Sequence, residues 1–133
     1  MGLYAYAKGL SAKDSYNKGY ITFGVYRKKL AKAYNEKIGY LYEKIYDGID
    51  LTEEEGIEWD KICNDDLDIF LWHSDCDGKF TPQECKKIYN AMKNIKVNMQ
   101  EHKYIIMETN CMHVHWLNIF RYCYKRRVNL YFS

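Results

Sequence analysis

A mostly helical α+β fold is predicted for residues 1–133: a single compact domain with a small two-stranded β ribbon joining its ends. Three observations predict it. Apolar residues recur at three- and four-residue steps through most of the chain, as helices with one buried face require. Two segments, Thr52-Glu53-Glu54-Glu55 and Thr81-Pro82-Gln83-Glu84, carry complete helix-start signatures. The two ends, around Leu3 and around Leu130, have strand-like composition.

In chain order, Leu3 to Lys8 alternates large and small residues and reads as a strand. Gly9 to Gly19 is polar and turn-rich and reads as a loop. A long helix is expected from Gly24, with Tyr26, Leu30, Ala33, Tyr34, Ile38, Leu41, Tyr42 and Ile45 on one stripe, ending at Asp47-Gly48. Thr52 caps a short helix running to about Cys63, with three glutamates in the first turn where the helix dipole favours them. Leu67 to Trp72 fits a buried strand or a short helix. Thr81 caps the next helix, with Pro82 at its first position and Cys85, Ile88, Tyr89, Met92 and Ile95 as its apolar stripe. Asn98 to Asn110 is ambiguous, with a possible helix through Tyr104 to Met107. Met112, Trp116, Ile119, Phe120 and Cys123 mark a last helix, whose basic end Lys125-Arg126-Arg127 suits the negative pole. Val128 to Phe132 closes the ribbon with the first strand.

Composition narrows the function. Hydrophobic residues make up 47% and charged residues 29%, with a net charge of +2, so the chain is globular and lacks the strong positive field of a nucleic-acid binder. No apolar run approaches the ~18 residues of a membrane span, and the N-terminus has no signal-peptide pattern. Tyr6 at the sixth position argues against myristoylation. The five cysteines form no CxxC pair, which speaks against a zinc ribbon or a thioredoxin-like motif and for free thiols in the cytoplasm. Fourteen tyrosines supply flat, amphipathic surface for cores and pockets alike.

The segment from His73 to Cys85 is the least generic in the chain. On a twelve-position calcium loop, His73, Asp75 and Asp77 take positions 1, 3 and 5, Gly78 the turn at 6, the Lys79 carbonyl 7, Thr81 9 and Glu84 the bidentate 12. Only His73 breaks the pattern, because calcium prefers oxygen. Imidazole with carboxylates, beside the Cys76 thiol, suits zinc better. Three readings of His73, Asp75, Asp77 and Glu84 follow: a site for one divalent metal, Ca or Zn; a site for a small polar ligand, with Trp72 beside it; or a plain turn in which Asp75 and Asp77 bond the turn amides and Glu84 caps a helix. His113 and His115, two apart, cannot both face such a site, and each reads as a packed or surface residue, while His102 reads as solvated. The lysine face of the first long helix and the aromatics Tyr4, Tyr6, Tyr20, Phe23, Tyr26 and Tyr34 read more simply as solvated face and core than as a phosphate or base site. Cys76 and His73 sit too close along a turn to align as a nucleophile and base.

The opening strand at Met1-Gly2, the His73-Ser74-Asp75-Cys76-Asp77-Gly78 core with Thr81-Pro82-Gln83-Glu84-Cys85, and the closing Asn129-Leu130-Tyr131-Phe132 together resemble a family of small uncharacterised bacterial and phage proteins. Its motif is an HSDCDG segment followed by a PEEC-type helix start, with Gln83 here in place of the first acid. The resemblance covers the loop well and the two ends loosely, and implies a fold and a site but no reaction. A phage origin would imply a protein that captures or blocks a host molecule. The expected function is a cytoplasmic, non-enzymatic binding protein. It would take a nucleotide-type signal, a metal or a host protein around Trp72, His73, Asp75, Asp77 and Glu84, with the C-terminal helix beside them. Self-association into a homo-oligomer is a further expectation. Its rivals are a calcium- or zinc-stabilised structural module and a metal-dependent hydrolase.

Overall fold

The computed structural model describes residues 2–97 and 111–133, and of Cys111 the backbone alone. The stretch from Asn98 to Asn110, with His102, lies outside the described residues, so the expectations placed there go unmet by any observation. The fold is α+β and mostly helical. Its elements are β1 (Gly2–Tyr6), β2 (Tyr16–Gly19), α1 (Tyr20–Tyr34), α2 (Glu36–Tyr46), α3 (Glu53–Ile62), α4 (Asp65–Leu71), β3 (Lys79–Phe80), α5 (Pro82–Met92), α6 (Cys111–Arg126) and β4 (Leu130–Phe132).

The terminal ribbon exists, with Ala5 opposite Phe132 and Tyr6 opposite Tyr131, but it is the centre of a larger sheet. Two expectations are corrected here. The sheet has four antiparallel strands in the order β2-β1-β4-β3, not two. The segment expected to be loop up to Gly19 ends in a strand, because Tyr16 to Gly19 takes the free edge of β1. Its polar residues resist prediction as strand; the backbone ladder and the burial of Tyr16 supply the reason. Pleat alternation puts Leu3, Ala5, Phe80, Leu130 and Phe132 on the covered face. Tyr4, Tyr6 and Tyr131 stack on the other face, with ring centroids 5.1 and 5.7 Å apart.

The long first helix is also corrected. It begins at Tyr20 rather than Gly24 and breaks at Asn35. Asn35 is extended, with φ −163° and ψ 132°, and its Oδ1 accepts from the amides of Lys37 and Ile38 at 2.9 and 3.2 Å. One residue thus ends α1 and caps α2, and the apolar stripe continues across the break. The caps of α3 and α5 form as the sequence predicts, each a reciprocal capping box: Thr52 with Glu55, and Thr81 with Glu84. Leu67 to Leu71 is helical, as part of α4.

Helices and sheet meet on a core of aromatic rings. Trp116 of α6 is fully buried and lies against Tyr16, Phe23, Phe70, Phe120 and Phe132, with centroids 4.6–5.9 Å apart. Truncating a ring so enclosed costs about 3–5 kcal/mol. Part of the tyrosine excess serves this core too, since Tyr16, Tyr26 and Tyr42 are buried.

Candidate functional site

The segment from Trp72 to Thr81 joins α4 to α5 and is clamped at both ends. At its start, Arg27 of α1 is buried, and its Nη1 donates to the carbonyls of Phe70, Leu71 and His73 at 3.3, 3.0 and 2.6 Å. Carbonyls in the last turn of a helix lack intrahelical partners and carry the negative end of the dipole, so a guanidinium suits them. The same guanidinium lies 4.4 Å from the centre of the Phe23 ring, and its Nε has no partner among the described residues. Tyr42 adds a hydrogen bond to the Leu71 carbonyl at 3.0 Å, and its own burial pushes its hydroxyl up to about 12. At the far end, β3 pairs with β4, and the Phe132 amide donates to the Gly78 carbonyl at 2.9 Å. Gly78 makes the bend with φ +88°, and a Cβ there would sit 3.2 Å from His73 Nε2.

Within this frame the four residues of the sequence-derived metal set have different fates. The His73 ring packs against Phe80 and Phe132, with centroids 4.1 and 4.7 Å away. Its Nδ1 faces the Ser74 carbonyl at 2.8 Å and its Nε2 the Lys79 carbonyl at 3.3 Å. Both ring nitrogens thus point at carbonyl oxygens, and neither presents a lone pair outward. Glu84 Oε1 accepts from the Thr81 amide at 2.9 Å, as part of the capping box. Asp75 and Asp77 differ from both. The sequence reading in which they bond the turn amides is corrected: Ser74 Oγ does so, accepting from Cys76 N at 3.2 Å and Asp77 N at 3.3 Å. Among the described residues neither aspartate carboxylate accepts a hydrogen bond or joins an ion pair. Among those residues, too, no three His, Cys, Asp or Glu side chains are grouped so as to hold a metal ion.

Trp72 is the surprise. It is 42% exposed, yet it is fixed in place. Its indole lies 5.1 Å from the Tyr42 ring and 5.2 Å from Trp59, so its neighbours come from α2 and α3 and not from the C-terminal helix. Its Nε1 donates to Asp68 Oδ1 at 2.7 Å, and Trp59 Nε1 donates to the same oxygen at 2.9 Å. Asp75 is near enough to this cluster for its charge to help raise the Tyr42 hydroxyl, after burial. From Glu58 to Asp77 the chain carries seven carboxylates against one lysine, Lys61, so the segment that bears the indole is acidic in sequence, and Asp68 sits directly on the indole N–H. Trp59, Asp68 and Arg27 escape a sequence reading because their roles depend on contacts between distant elements.

No family model, curated protein or solved structure matches the chain. The likeness to the HSDCDG family therefore rests on the motif residues themselves.

The remaining candidates resolve into structure. His113 is buried: its Nδ1 lies 2.7 Å from the Tyr26 hydroxyl and its Nε2 3.3 Å from the Met92 carbonyl. The carbonyl can only accept, so Nε2 carries the proton and Tyr26 donates to Nδ1. Desolvation holds His113 below its ordinary value. His115 Nε2 bonds the Asp14 carbonyl at 2.8 Å. Cys63, Cys76, Cys85 and Cys123 are free thiols. Cys76 Sγ lies 3.5 Å from Ser74 Oγ, and with both His73 nitrogens turned to carbonyls no thiol–imidazole dyad forms. Among the described residues no helix is long and apolar enough to cross a membrane.

Proposed function

We propose that this is a non-enzymatic binding protein that takes a basic segment of a partner protein on the surface around Trp72, Asp68, Asp75 and Asp77. The observation that carries this reading is the Trp72 indole, exposed but held by two aromatic neighbours and a hydrogen bond. Rigid exposed tryptophans make strong interface anchors because little side-chain entropy is lost on binding. An indole face attracts arginine and lysine through its quadrupole, and the carboxylates of Asp75 and Asp77, which have no partner among the described residues, add charge complementarity.

The same carboxylates oppose a phosphate group, so the loop suits a cation better than a nucleotide-type signal. A resident calcium or zinc is less well supported. Of the four predicted ligands, His73 turns both nitrogens to carbonyls and Glu84 commits one oxygen to its helix cap, which among the described residues leaves the two aspartates and Glu84 Oε2, whereas calcium takes six to eight oxygens.

The test is fluorescence anisotropy with a labelled hexa-arginine peptide at low and moderate salt. The wild-type chain is expected to bind, more weakly as salt rises. Trp72→Ala and the double variant Asp75→Asn/Asp77→Asn should each bind at least several-fold more weakly, with unchanged circular dichroism. Equal affinity in all three proteins, or no binding by the wild type, would overturn the proposal.

A further inference from the structure

A cleft elsewhere on the molecule involves none of the loop residues. Between α1 and α2 is a cleft of about 510 Å³, within the usual range for small-molecule pockets. Its walls follow from helical spacing. From α1 come Lys28, Lys29 and Lys32, which with the buried Val25 stand at steps of three and four on one stripe. From α2 come Glu36, Tyr40 and Glu43, again one stripe at steps of four and three.

The two helices are held in fixed relation by a close backbone approach that only glycine permits, at Gly39, and by the end of the Tyr46 side chain lying against Gly24. A Cβ on Gly39 would sit 2.6 Å from Lys32 Cα, and one on Gly24 would collide with the Tyr46 hydroxyl. The cleft is therefore preformed rather than a gap between mobile helices.

Its chemistry is specific in kind. Lys28 Nζ sits 4.3 Å from the Tyr46 ring centre, and two further ammonium groups, of Lys37 and Lys44, lie 5.6 and 5.9 Å from the ring of Tyr40. These last two are ion-paired to Glu58 and Glu55, at 3.5 and 2.9 Å. Tyr40 is 57% exposed, the most exposed aromatic side chain among the described residues, and it stands at the cleft. The walls thus offer ammonium groups for a phosphate, an aromatic ring for a flat heterocycle, and two carboxylates that can accept from hydroxyl or amino groups. A simple polyanion would use only the first of these.

We infer that the α1–α2 cleft binds a nucleoside phosphate, with Lys28 and Lys32 on the phosphate, the base against Tyr40, and Glu36 or Glu43 accepting from the sugar hydroxyls. The acidic loop repels such a ligand; this cleft has the opposite balance, with three lysines against two glutamates.

Calorimetric titration with ATP, adenosine and sodium tripolyphosphate, in metal-free buffer, tests the inference. One ATP per chain is expected, and the other two probes should bind at least ten-fold more weakly. Tyr40→Ala should weaken ATP by about ten-fold, in line with the usual worth of one stacked base, and leave tripolyphosphate unchanged. Lys28→Gln and Lys32→Gln should weaken both anions, and Trp72→Ala neither. No ATP binding would overturn the inference. So would tripolyphosphate binding as tightly as ATP with Tyr40→Ala silent, which would reveal only a lysine patch. Loss of ATP binding in Trp72→Ala would place the site elsewhere and overturn it as well. Because the peptide assay reads the loop and this one reads the cleft, failure of either leaves the other standing.

Discussion

Replacing Arg27 by methionine should unfasten the loop that carries Trp72. The substitution keeps an unbranched side chain of similar length and removes every donor. Three contacts from Nη1 disappear, but the carbonyls are not equally exposed by the loss. Leu71 O keeps the Tyr42 hydroxyl and Phe70 O keeps the His73 amide at 3.4 Å, so the His73 carbonyl loses most. Hydrogen bonds to a charged donor are each worth about 1.5–3 kcal/mol, and a buried carbonyl left without a partner costs about 1–3 kcal/mol. The contact with Phe23 adds up to about 2 kcal/mol. Against these stands the relief of a buried guanidinium whose Nε has no partner and which no carboxylate neutralises among the described residues. The net loss should be about 2–4 kcal/mol. For a chain of this length each kcal/mol moves the melting temperature by about 3–5 °C, so a fall of roughly 6–20 °C is expected by calorimetry. Trp72 emission should shift to the red below the transition as its surroundings loosen. A melting temperature within about 2 °C of wild type, with unchanged emission, would refute the view that Arg27 holds the loop in place.

Other perturbations probe separate parts of the structure. Asp68→Ala removes the oxygen shared by two indoles and leaves the buried Trp59 N–H without a partner, so a loss of about 1–3 kcal/mol in urea denaturation is expected, with Trp72 more mobile by fluorescence anisotropy. Gly39→Ala should destabilise despite the better helix propensity of alanine, because its methyl meets Lys32 backbone; chemical denaturation showing a gain of about 1 kcal/mol would instead follow propensity alone. His113 sets a pH dependence. Its folded value lies below 6.5, so the unfolded chain takes up a proton first as pH falls. Its contribution is complete above about 6.5 and is lost as pH drops from there through the folded value, at no more than about 1.4 kcal/mol per pH unit. Melts between pH 5 and 8 should show this slope, and His113→Gln should flatten it. Chelator treatment should leave the melting temperature unchanged, since His73 and Glu84 are engaged in the fold; a clear drop would restore the metal reading of the loop.

What the sequence revealed and what it hid have physical causes. Helix starts were legible at Thr52 and Thr81 because capping boxes are local: four consecutive residues contain both partners. The two terminal strands were legible from their alternation. The break at Asn35 was masked because the apolar stripe runs through it without a change of period, although Asn35 followed by Glu36 is itself a helix-start signal. The strands at Tyr16 and Lys79 were masked because their residues have little strand character and owe their conformation to partners far along the chain. At the loop, composition identified the right segment but not its orientation. Histidine and glutamate are ligand types, yet here one faces carbonyls and the other caps a helix. Ser74 took the structural role assigned to the aspartates, which left those two without a partner among the described residues.

The most direct measurement is the indole region of a ¹⁵N-labelled spectrum during titration with the arginine peptide. The three tryptophans report from different places: Trp72 at the surface, Trp59 beneath it on the same Asp68 oxygen, and Trp116 deep in the core. A large shift of the Trp72 signal, a smaller one of Trp59 and a stationary Trp116 are the expected result. Signals that all stay still, or that move equally, would contradict the claim that Trp72 and its acidic surround form the binding surface.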